Sequence, residues 1–150
     1  MKLLIQRVSS SHVHVDGELV GETGKGLLVL IGVHEQDGEE DFQWCLKKLL
    51  DMRIFSDNEG KMNLSLKDVD AELMLISQFT LYASTKKGNR PSFITAAKPD
   101  HAILLYEKFI EECEKELGKK VARGIFGADM KVSLVNDGPV TIIIDSLNKE

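Results

Sequence analysis

Apolar residues along this chain recur at two periods, and each change of period marks a change of element. Residues 2–8 and 12–15 are rich in strand formers and flank Ser9-Ser10-Ser11, while Asp16-Gly17 predicts a tight turn into Leu19-Val20, giving an N-terminal meander. Leu27-Leu28-Val29-Leu30-Ile31 is an unbroken apolar run between Gly26 and Gly32, the pattern of a central strand covered on both faces. A first helix follows, with Asp37 as its cap, Glu40 three residues on, and Phe42, Cys45, Leu46, Leu49 and Leu50 at helical spacing. A longer helix begins after Pro99-Asp100, carries a stripe of Ala102, Leu105, Tyr106, Phe109, Ile110, Cys113 and Leu117, and closes at Gly118. Glu107, Glu111, Glu112, Glu114 and Glu116 fall on its other side, where water is expected to solvate them.

Between the helices, Arg53-Ile54-Phe55 and Leu73-Met74-Leu75-Ile76 read as strands separated by the turn-rich Ser56–Lys61 segment. Strands are also expected at residues 121–126, 130–135 and 140–144. Ile142-Ile143-Ile144 lacks polar alternation, which predicts either a central strand or one buried in a subunit interface. Many strands and two main helices give an α/β fold class, a single mixed-sheet domain over residues 1–150.

Composition narrows the function classes. A chain of 150 residues can bury a core without metal or disulfide staples. No apolar run approaches the roughly 20 residues of a membrane span, and Gln6 and Arg7 cut short the apolar start, so Met1–Ile5 reads as a strand and the expected location is cytoplasmic, with no membrane partner. Cys45 and Cys113 lie on apolar helix faces, as reduced thiols do. A net charge of −5 opposes non-specific coating of nucleic acid. Residues 84–98 are the local exception, with Lys86, Lys87, Arg90 and Lys98 and no acidic residue.

Metal-binding, Walker and Gly-x-Gly-x-x-Gly motifs are absent, so no cofactor and no metal is expected. His12 and His14 share a strand face without a third ligand in view, and His34 and His101 stand alone near helix starts, where surface or capping roles are the default. Ser77-Gln78-Phe79-Thr80 brings two hydroxyls, an amide side chain and backbone N–H groups to a strand end. It reads equally as an edge strand facing water. A nucleophilic Thr80 would need a base that the motif does not contain, which favours Thr80 as a hydrogen-bonding group and the Phe79 and Thr80 amides as an oxyanion hole. Asn136-Asp137-Gly138-Pro139 is an ordinary turn or a built elbow. Gly124–Met130 suits either a flat pocket for a purine ring or a bend between core strands.

Taken together, Ile5-Gln6-Arg7-Val8, Val15-Asp16-Gly17-Glu18, Gly24-Lys25-Gly26-Leu27, Gly60-Lys61-Met62-Asn63, Ser77–Thr80, residues 87–93, Phe126-Gly127-Ala128 and Asn136–Thr141 resemble the D-aminoacyl-tRNA deacylase family. The resemblance runs over nearly the whole chain. It implies a layered, β/β/α-like sheet and a homodimer in which Gly138 and Pro139, joined by a cis peptide, enter the partner's site beside Ser77, Gln78, Phe79 and Thr80. It implies tRNA carrying a D-amino acid or glycine as the partner, and hydrolysis of its ester to the 3′-terminal adenosine. On that reading Phe126 with Met130 lines an adenine pocket, Lys86, Lys87 and Arg90 meet phosphates, and Gly127, Ala128, Asn136 and Thr141 are further substrate-binding residues. Two rivals remain: a small-ester hydrolase with Thr80 as nucleophile, and a non-catalytic module gripping RNA 3′ ends.

Overall fold

The computed structural model describes all 150 residues. In chain order it contains β1 (Lys2–Val15), β2 (Glu18–Thr23), β3 (Gly26–Gly32), α1 (Glu39–Asp51), β4 (Phe55–Ser56), β5 (Met62–Leu64), β6 (Glu72–Ser77), a 3-10 turn (Phe79–Tyr82), α2 (Pro99–Leu117), β7 (Ala122–Arg123) and β8 (Met130–Asp145). The main sheet is mixed. Its order is β2-β1-β3-β6-β7, with β8 also on β1; the β3–β6 and β6–β7 pairs are parallel and the others antiparallel.

Period-two alternation assigns the strands to two cores. Leu27, Val29 and Ile31 of β3 and Leu73 and Leu75 of β6 join the larger cluster, with Phe42, Cys45 and Leu49 of α1 and Tyr106, Phe109 and Cys113 of α2. The intervening Leu28, Met74 and Ile76 join Val8 and Val13 in a smaller cluster on the opposite face. A Cβ placed on Gly21 of β2 would stand 2.7 Å from the Arg123 carbonyl oxygen of β7, so the two ends of the strand order meet and the sheet is nearly closed. One layer of helices therefore covers a curled sheet whose other face is lined by its own strands. Gly26 allows the closest approach within it, since a Cβ there would fall 1.9 Å from the Glu72 carbonyl oxygen.

Several expectations are corrected. Ser9–Ser11 do not interrupt β1: Ser11 is buried and shares a 2.5 Å hydrogen bond with Thr23 Oγ1. Asp37 does not cap α1. Gly38 occupies that position and its N–H donates to Asp41, while Asp37 is buried, pairs with the Met1 ammonium and accepts the His34 N–H at 2.7 Å. His34 is accordingly a buried residue, with its ring against Tyr82. Glu107 is half-buried against Arg123, and Glu114 accepts the Val121 N–H at 3.1 Å, so the acidic face of α2 is partly engaged. β7 is two residues long, and Arg53-Ile54 precede β4 without joining it. The two strands expected after residue 130 are one, and it pairs only with β1, so Ile142-Ile143-Ile144 is not central.

Candidate functional site

Ser77 ends β6 opposite Ile31 of β3, and the Gln78 N–H donates to the Ile31 carbonyl at 2.7 Å as the chain leaves the sheet. The 3-10 turn then forms against Gly32, where a Cβ would meet Leu81 Cβ at 3.0 Å and the Gln78 carbonyl at 3.2 Å. A side chain at residue 32 would lift the turn off the sheet. Phe79 and Thr80 open that turn, so their N–H groups have no acceptor within it. The Thr80 hydroxyl is exposed and receives the Gln78 side-chain amide.

Beside this turn lies a cavity of about 340 Å³. Ile31 of β3, Val33 just beyond that strand, and Ala102 and Tyr106 of α2 form its inner wall; Phe79 and Phe93 stand together on one side, and Phe126 and Gly127 on another. The Phe79 and Phe93 rings meet edge to face at 5.1 Å, and Tyr106 and Phe126 at 5.9 Å. Tyr106 donates to the Leu75 carbonyl at 2.8 Å, and burial pushes its hydroxyl up to about 12, so it is a fixed donor and not a proton shuttle near neutral pH. Ala128 is held in the adjacent turn by a 3.1 Å bond to the Ile125 carbonyl. Met130 lies elsewhere: its thioether covers Gly124 and packs on the smaller core cluster.

The second motif is a protrusion of β8. Thr141 pairs with Gln6 and Asn136 with Val8, so two steps along β1 face five along β8, and Asp137, Gly138 and Pro139 are pushed out into solvent. Asn136 closes its base, accepting the Val140 N–H and donating to Thr141 Oγ1, both at 2.9 Å. The Gly138-Pro139 peptide is cis, and Gly138 has φ +136°, a backbone region that favours glycine. Arg7 braces the elbow from β1, donating from Nε to the Asp137 carbonyl at 3.0 Å and from Nη1 to the Ile54 carbonyl at 2.7 Å. None of the elbow residues lines the cavity of its own chain.

Ser84 and Ser92 exchange backbone hydrogen bonds of 2.8 and 2.9 Å, which closes the loop bearing Lys86, Lys87 and Arg90. These three cations are exposed and make no ion pair. No group of three or more His, Cys, Asp or Glu side chains is gathered where it could hold a metal ion.

The profile of the family described as D-Tyr-tRNA(Tyr) deacylase matches residues 4–145. The chain belongs to this family. It is 58% identical, over the full length of both chains, to the D-aminoacyl-tRNA deacylase of Flavobacterium psychrophilum. A solved structure described as the c-Myc DNA unwinding element binding protein is 37% identical, with a TM-score of 0.90 over 97% of this chain and 98% of that one. A probable eukaryotic D-amino acid tRNA deacylase shares the fold at 19% identity, with a TM-score of 0.82 over 95% of this chain and 97% of that one.

Within this member of the D-Tyr-tRNA(Tyr) deacylase family, sequence reasoning gave no role to Arg7, Phe93 or Tyr106. Phe93 lies within the acid-free basic run, and Tyr106 is the one hydroxyl-bearing aromatic in the α2 stripe, a departure from a purely apolar face that marks a wall with two duties. Arg7 had a signal too: it is a cation among the apolar residues of the first strand, where a charge needs a partner.

Proposed function

We propose that this chain, an enzyme of the D-aminoacyl-tRNA deacylase family, cleaves the ester between a D-amino acid or glycine and the 3′-terminal adenosine of tRNA, with the apolar cavity taking the adenosine. The observation that carries the reading is the junction of the aromatic-walled cavity with the first N–H groups of the 3-10 turn at Phe79 and Thr80. An aminoacyl ester is already activated. Polarising its carbonyl with two backbone donors and positioning water beside it suffices, with the ribose hydroxyl next to the ester organising the attack. Thr80 then positions the substrate, Ser77 and Gln78 flank the ester, and Lys86, Lys87 and Arg90 meet phosphates.

Chirality is sorted by the elbow of a second copy. Its rigid carbonyls hold the substrate's amino group and leave no room for an L side chain, so D side chains of many kinds pass and glycine escapes the wall. Support for a homodimer comes from β8, which pairs only with β1 and exposes Val135 and Ile143 to 57% and 67% beside the protruding elbow. Lost side-chain contacts alone would not give such selectivity, because rejection by about 10⁴-fold requires roughly 5.5 kcal/mol, more than one missing methylene supplies, whereas a steric wall can reach it.

The test is to offer the purified protein D-tyrosyl-tRNA and, separately, a simple D-tyrosine ester. Release from tRNA alone supports the proposal. Equal hydrolysis of both, with an acyl group trapped on Thr80, identifies a small-ester hydrolase; binding without release identifies a module that grips RNA ends.

A further inference from the structure

Ile94 is 84% exposed, and its neighbours in the chain explain where it stands. Phe93, Ala96 and Ala97 all line the cavity, so Ile94 sits on its rim. The segment is pinned: the Ala96 N–H donates to the Phe93 carbonyl at 3.0 Å, the Glu35 N–H to the Thr95 carbonyl at 3.1 Å, and the Ala97 N–H to the Val33 carbonyl at 2.9 Å. An exposed isoleucine on a firmly held turn is a built surface rather than the tip of a loose loop. On one side it continues into the Phe93–Phe79 ring pair, and Phe79 is itself 55% exposed. On the other side, across the Ser84–Ser92 bridge, begins the loop with Lys86, Lys87 and Arg90. An apolar ledge between a nucleoside-sized cavity and unpaired cations has the chemistry of a single-stranded nucleic-acid track, in which bases lie on apolar faces and phosphates meet the cations.

We infer that Ile94, with the outer face of Phe93, forms a ledge for the base of the nucleotide preceding the terminal adenosine. The inference rests on the reading that the cavity takes that adenosine. It makes the substrate a 3′ end with an unpaired penultimate nucleotide, and it assigns Ile94 to affinity and not to chemistry.

The test compares wild type and Ile94→Ser on D-tyrosyl-tRNA and on 3′-O-D-tyrosyl-adenosine, which has no second base. The expected result is a rise in KM of about fivefold on the tRNA, with kcat unchanged and both constants unchanged on the nucleoside. In parallel, a deacylated RNA hairpin carries 2-aminopurine at the penultimate position; wild type should raise its fluorescence, as the base leaves its stacked neighbours for the aliphatic ledge, and Ile94→Ser should raise it less. Equal effects on both substrates, no effect on either, or an unaltered fluorescence rise in the variant would overturn the ledge, as would a change in oligomeric state on Ile94→Ser, which would make this surface a protein contact. A fluorescence rise with a wild type that cleaves neither substrate would sustain the ledge and sink the hydrolytic reading.

Discussion

Arg7 Nε lies 3.0 Å from the carbonyl oxygen of Asp137, so a side chain of the first strand holds the protrusion of the last. The same guanidinium reaches the Ile54 carbonyl, and a Cβ on Gly138 would stand 3.0 Å from its Nη2. Arg7 thus fixes where the elbow points and is not itself among the residues that line the cavity. Arg7→Ala removes charge-assisted bonds to two carbonyls and should cost about 2 kcal/mol, seen as a lower Tm. It should also reduce the ratio of D- to L-tyrosyl-tRNA cleavage by about tenfold at a nearly unchanged D rate. Unaltered discrimination would separate the elbow from selectivity.

Binding to tRNA should depend only weakly on salt. If Lys86, Lys87 and Arg90 each meet one phosphate, the log-log slope of affinity against salt is about −2, and Lys86→Ala with Arg90→Ala should bring it to about −0.7. Titrations of labelled tRNA at a series of potassium chloride concentrations measure it. A slope near −6 would demand a broader basic surface than this chain presents.

Both cysteines should be inert in the folded protein. Burial pushes the thiols of Cys45 and Cys113 up to about 12, so almost no thiolate exists at pH 8, and neither sulfur is accessible. Mass spectrometry after iodoacetamide treatment should find no native alkylation and two additions after unfolding.

The acid side of the stability curve should involve Glu114. Its carboxylate accepts the Val121 N–H, which holds its pKa below the ordinary value of 4.5. A depressed folded pKa means stability that is present above the unfolded value and lost as pH falls through the folded one. Chemical denaturation should therefore show wild type losing more stability than Glu114→Gln as pH is lowered through and below 4.5. Parallel curves would deny the carboxylate that role.

Legibility from sequence followed the range of the forces involved. The α1 stripe was readable residue for residue, because Phe42, Cys45, Leu46, Leu49 and Leu50 repeat locally at the helical period. β3 was readable because continuous apolarity admits no solvated face. Asp37 was not, since its choice of the Met1 ammonium over a helix cap depends on a partner 36 residues away. The single run of β8 through Asn136–Thr141 was hidden for a related reason: turn residues usually end a strand, but here β1 pairs on both sides of them and carries the strand across. Of the site, the Ser77–Thr80 turn and the elbow were visible as motifs. Their separation within one chain, and the bracing by Arg7, are properties of strand register that no local pattern encodes.

Chiral sorting by the elbow is tested most directly by the initial rates of release of D- and L-tyrosine from matched tyrosyl-tRNAs by the wild-type protein. It predicts rapid loss of the D ester and survival of the L ester, with a rate ratio of about 10⁴. Cleavage of both at similar rates would contradict it.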